Sequence, residues 1–84
     1  MKQCMITFRS VTPAQRGEGL LRRAGLSCTL QRTPRWMEQQ GCGYSLLLRH
    51  QDAPMAVEIL KTGQVPYRKV YLKGENNTME ELEL

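Results

Sequence analysis

Apolar and polar residues alternate in four short stretches of this chain and recur at helical spacing in two longer ones. The first alternation covers residues 4–9, with Cys4, Ile6 and Phe8 on one side and Met5, Thr7 and Arg9 on the other, the pattern of a half-buried strand. Thr12-Pro13-Ala14-Gln15 then supplies a capping threonine, a proline at the first helical position and a glutamine three residues after the cap,. The spacing predicts a helix over 13–24. Ala14, Leu20, Leu21 and Ala24 share a face with Gly17, Arg16, Arg22 and Arg23 point elsewhere, and Gly25 is a left-handed terminator,.

Alternation resumes over 27–32, with Cys28 and Leu30 inward, as a second strand. Thr33 to Gly43 reads as a loop with a short helix, capped by Thr33-Pro34, running through Trp36 and Met37 and ended by Gly41. Residues 44–49 form a third strand, with Tyr44, Leu46 and Leu48 on one side. Asp52 caps a second helix containing Ala56, Val57, Ile59 and Leu60, which Gly63 closes,. Residues 65–73 complete the set as a fourth strand, with Val70 and Leu72 inward and Lys69 and Tyr71 outward. The order βαββαβ predicts an α+β, ferredoxin-like sandwich, one four-stranded antiparallel sheet with two helices on one face. That places a single ferredoxin-like domain at residues 1–74. Residues 75–84 are then an acidic C-terminal tail, mobile or docked only by its leucines. Such a fold hosts many unrelated activities and does not select one.

Composition narrows the class. With 84 residues, 40% hydrophobic and 24% charged, the chain matches an ordinary soluble globule too short for a second domain. No apolar run approaches the roughly 18 residues of a membrane span, and the first ten residues lack a leader pattern, so the expected location is the cytoplasm, with no membrane partner. The net charge of +4 conceals an asymmetry. All twelve basic residues lie within residues 1–74 beside four acidic ones, leaving +8, and residues 75–84 carry Glu75, Glu80, Glu81 and Glu83. An odd count of three cysteines in such a chain argues against a disulfide framework.

Serine triads, metalloprotease helices, phosphate-binding glycine loops and Cys-x-x-Cys pairs are all absent from the sequence,. No cofactor is implied. His50 reads as a solvated or capping residue at the end of the third strand. Cys4 and Cys28 fall on inward positions, where a thiol acts as a small hydrophobe, so neither completes a metal site with Cys42 and His50. Cys42 differs, because it sits between Gly41 and Gly43, which leave its sulfur unshielded and its surroundings open to backbone N–H groups,. Arg32 and Arg35 precede it, and a guanidinium near the sulfur favours the thiolate; a short helix ending at Gly41 opposes this with its negative end.

Four pieces of sequence carry a family resemblance: Ile6-Thr7-Phe8-Arg9-Ser10, Thr33-Pro34-Arg35, the Cys42-Gly43 pair before an apolar strand, and Val65-Pro66-Tyr67 with Val70-Tyr71. Together they resemble the putative selenium/sulfur carrier protein-like family of small prokaryotic proteins, over about residues 4–73. Members tend to place Ser or Thr just before the cysteine, where this chain has Gln39, Gln40 and Gly41. The resemblance implies a carrier with a reactive cysteine rather than a stand-alone catalyst. Cys42 would accept a persulfide or selenopersulfide from a cysteine desulfurase-like donor and hand it to an acceptor protein. Arg35, and to a lesser degree Arg32, would hold the charged terminal atom; Trp36 would either shield it or pack the loop.

The alternative is a basic binding module for RNA or another polyanion, or an interaction domain without chemistry. The sheet face away from the helices would show Met5, Thr7, Arg9, Thr29, Gln31, Ser45, Leu47, Lys69, Tyr71 and Lys73. Only Tyr71 among these provides a stacking surface for bases, which argues against nucleic acid. The same face, with Leu47 and Met5 beside Tyr71, suits a homodimer.

Overall fold

The computed structural model describes residues 2–33, 43–74 and 79–82. In chain order these form β1 (Gln3–Phe8), α1 (Val11–Arg23), β2 (Cys28–Arg32), β3 (Tyr44–Arg49), a 3₁₀ turn at His50–Asp52, α2 (Ala53–Thr62), β4 (Val70–Lys73) and β5 (Met79–Leu82). The strands make one sheet in the order β2-β3-β1-β4-β5. Every neighbouring pair is antiparallel.

The α+β class and the two helices agree with expectation, but the sheet has five strands where four were expected. The extra strand comes from the acidic tail. Met79, Glu80, Glu81 and Leu82 pair with Lys73, Leu72, Tyr71 and Val70, Leu82 packs against the core, and Lys69 Nζ meets Glu81 Oε1 at 3.2 Å. A basic body thus binds its own acidic end through a strand ladder and an ion pair.

Period-two alternation sends Cys4, Ile6 and Phe8 of β1, Leu46 and Leu48 of β3 and Val70 of β4 into a core shared with Ala14 and Leu21 of α1 and Ala56, Val57 and Leu60 of α2. Gly17 sets how close α1 comes. A Cβ placed there would lie 3.0 Å from Leu60 Cδ2 and 3.3 Å from Leu46 Cδ1 and Phe8 Cζ. Two helices and a sheet meet at this α1 position, where no side chain intervenes.

Three element ends depart from expectation. First, α1 starts at Val11 with Ser10 as the extended flanking residue, rather than at Pro13 behind Thr12. Pro13 is tolerated in the first turn because N–H groups there have no partner within the helix. Second, β4 begins at Val70 rather than Val65. Pro66 cannot donate to a ladder, and Thr7 faces two residues at once: Arg68 N–H donates to Thr7 O at 2.7 Å and Thr7 N–H to Lys69 O at 2.8 Å. Two residues opposing one is the arrangement of a bulge, which ends regular pairing.

The third departure concerns how α2 stops. In α1, the N–H of Gly25 donates to Arg22 O and that of Leu26 to Leu21 O, and Gly25 is left-handed at φ +87°, as anticipated. The end of α2 repeats these bonds, Gln64 N–H to Lys61 O and Val65 N–H to Leu60 O. Here the left-handed residue is Gln64, at φ +57°, and Gly63 keeps an ordinary φ of −81°. Space, not conformation, accounts for Gly63: a Cβ there would stand 2.5 Å from Leu20 Cδ1.

Candidate functional site

The connection singled out by sequence leaves β2, an edge strand, and returns into β3. Its neck is held by a hydrogen bond from Thr33 N–H to Gly43 O at 2.9 Å, continuing the β2–β3 ladder beyond the Arg32–Tyr44 pair. Arg35, Trp36, Gly41 and Cys42, and the short helix expected between Thr33 and Gly43, lie outside the described residues. Of the residues assigned to the site, Arg32 and Gly43 are described. Gly43 is buried. Arg32 is exposed and places its guanidinium carbon 5.8 Å from the centroid of the Tyr44 ring, within the roughly 6 Å reach of a cation–π contact. Arg32 is anchored to its cross-strand neighbour on the helix side of the sheet.

The other side of the neck holds something the sequence did not announce. Alternation along β2 and β3 directs Thr33, Gln31, Gly43 and Ser45 to the face away from the helices. Thr33 and Ser45 are 7% and 0% exposed, and among the described residues neither side-chain oxygen has a hydrogen-bond partner. Each such hydroxyl costs on the order of 1–3 kcal/mol. A serine between Tyr44 and Leu46 on an uncovered face reads as solvated, so periodicity carried no signal of its burial. Met5, at 1% exposure, and Thr7, at 6%, likewise belong to a face expected to be open; Leu47 and Tyr71 are half-buried.

Both described thiols are poor candidates for anionic chemistry. Cys4 is fully buried, and burial pushes its thiol up to about 11. Cys28 is also raised, chiefly by burial. The Arg22 guanidinium lowers it, by its charge and by a hydrogen bond, and Glu18 raises it. Arg22 Nη2 bridges Glu18 Oε2 at 3.4 Å and Cys28 O at 3.1 Å, while the Cys28 thiol points at the Glu18 carbonyl at 4.0 Å. These contacts tie β2 to α1.

At the opposite end of the sheet, His50 is exposed and its backbone N–H donates to Lys2 O at 3.2 Å; the neighbouring Arg49 Nε donates to Asp52 Oδ2 at 3.1 Å. Among the described residues, no three His, Cys, Asp or Glu side chains are grouped to hold a metal ion, and no helix is long and apolar enough to cross a membrane.

No curated protein and no solved structure matches the chain. A family does: residues 3–72, from the first residue of β1 to the third of β4 and including both helices and the β2–β3 connection, match the family described as "Putative Se/S carrier protein-like", and the chain belongs to it.

Proposed function

We propose that the protein is a cytoplasmic sulfur or selenium carrier in which Cys42 is the acceptor. The observation that carries this reading is the family match across the connection containing Cys42. The raised, buried state of the two other thiols supports it, because a buried protonated thiol is a poor nucleophile. The Cys42 thiolate attacks the terminal sulfur or selenium of a persulfide or selenopersulfide on a cysteine desulfurase-like donor. A bond from Cys42 Sγ to that atom forms, the donor's own bond to it breaks, and the donor cysteine leaves as thiolate with the electron pair. No net oxidation occurs, and the same exchange in reverse delivers the atom to an acceptor protein. In this reading Gly41 and Gly43 leave the sulfur approachable, Arg35 holds the anionic terminal atom with Arg32 as the lesser contributor, and Trp36 either shields that atom from water or packs the loop.

Mass measurement after incubating the reduced protein with a cysteine desulfurase and cysteine tests this. One added sulfur is expected on the wild type, Cys4→Ala and Cys28→Ala, and none on Cys42→Ala. A wild type that stays unloaded sinks the proposal. The binding-module alternative has less support. Phe8 is fully buried on the helix side, and Glu81 stands opposite Tyr71 in the ladder and pairs with Lys69, so the face it needs carries a carboxylate beside the Tyr71 ring.

A further inference from the structure

One outer face of α1 has no explanation in the fold. Gln15, Arg16, Gly19, Leu20 and Arg23 line a cleft of about 350 Å³ that Gly63, at the end of α2, completes. Arg16 and Arg23 are exposed. Neither has a hydrogen bond or ion pair among the described residues, whereas Arg22 and Arg49 on the same molecule are each paired with a carboxylate. Their positions, seven residues apart, put the two guanidinium-bearing residues roughly 10 Å apart along the helix axis.

Between them lies Gly19. A glycine inside a helix weakens it, and the glycines at 17, 25 and 63 each have a local reason: contact at Gly17, handedness at Gly25, the Leu20 side chain at Gly63. A Cβ at Gly19 would meet nothing within 4 Å. What a glycine does here is leave the floor of the cleft open between two unpaired cations.

We propose that this cleft is a docking site for an acidic segment of a partner protein, whose carboxylates reach Arg16 and Arg23 while its backbone approaches α1 at Gly19. Charge complementarity selects the partner: the body carries +8 while its own acidic end is engaged at β4. The lining has Leu20 as its apolar element and no aromatic residue, which favours a protein segment over stacked bases. The site is independent of the thiol chemistry proposed above.

Hexaglutamate titrated into the full chain, followed by backbone amide shifts, tests the idea. Shifts confined to residues 15–23 and Gly63 are expected, fading as salt is raised. Gly19→Glu sets a carboxylate three residues after Arg16 and four before Arg23 and is expected to weaken binding roughly tenfold. It also replaces glycine with a better helix former, so the variant stays folded. Thr29→Glu, an equal charge change at an exposed position on the far side of the sheet, is expected to alter binding less than about twofold. Absence of binding, equal losses in the two variants, shifts spread over the basic surface, or stronger binding of inorganic phosphate or oligouridylate at the same ionic strength would each overturn the proposal. No sulfur donor is involved, so failure here leaves loading of Cys42 untouched, and an unloaded Cys42 leaves this result standing.

Discussion

The two strand–helix–strand halves use similar parts under different constraints. In the half built from β1, α1 and β2, the helix buries Ala14, Gly17 and Leu21, so close approach replaces side-chain volume. Both described cysteines lie in this half. In the half built from β3, α2 and β4, the helix buries Ala53, Ala56, Val57 and Leu60 and fills its share of the core with side chains. Both helices end in the same pair of backbone bonds, yet one uses glycine for the left-handed residue and the other glutamine. The buried face of the first helix therefore tolerates few additions, while the second helix ends on a left-handed residue that is not glycine.

The strongest way to break this contrast is Gly17→Val. Branching carbons added to a Cβ already 3.0 Å from Leu60 have no room, and a loss of about 3 kcal/mol is expected from denaturant unfolding.

Alkaline pH probes the first half through its two buried thiols. Below about pH 9, the Cys4 thiol is protonated in both folded and unfolded chains and contributes no pH dependence. Between 9.0, its ordinary value, and about 11 in the folded protein, only the unfolded chain ionises. Stability should fall there by about 1.4 kcal/mol per pH unit for this one group. Cys28, raised in the same direction, adds to the loss. Stability curves of the wild type and Cys4→Ala should diverge in slope across that window; parallel curves would contradict the burial assigned to Cys4.

Two smaller changes compare the helix ends. Gly25→Ala forces a side chain into φ +87° and should cost about 1 kcal/mol. Gln64→Gly should do the opposite and raise the melting temperature through about 0.5 kcal/mol. If both substitutions destabilise, Gln64 has a contact that offsets its backbone, and the two ends are not equivalent after all.

Most of the fold was legible because it rests on local signals. Cys4-Ile6-Phe8 and Tyr44-Leu46-Leu48 announce which side of each strand faces the helices, and Gly25 announces a stop. What was not legible came from partners distant in sequence. Met79 to Leu82 has no apolar alternation of its own, and its strand exists because β4 offers an unpaired edge. The shorter β4 reflects the double pairing of Thr7 with Arg68 and Lys69, which no local pattern encodes. Gly63 looked like a helix terminator, but its neighbour performs that role, because Leu20 from the other helix occupies the space its side chain would need. At the candidate site, sequence singled out the connection through Cys42 and its flanking glycines and arginines. It missed the buried hydroxyls of Thr33 and Ser45 at the neck, since burial on the far face of a sheet is set by tertiary packing and leaves no periodic trace.

The fifth strand also bears on how copies of this chain behave in a crowded solution. A sheet ending at β4 would present the backbone of Val70 to Lys73 as a template for any other extended chain. With Met79 to Leu82 paired there, the outermost strand on that side carries Glu80 and Glu81, both exposed, and two copies meeting edge to edge must bring like charges together. The tail keeps β4 from recruiting a second molecule.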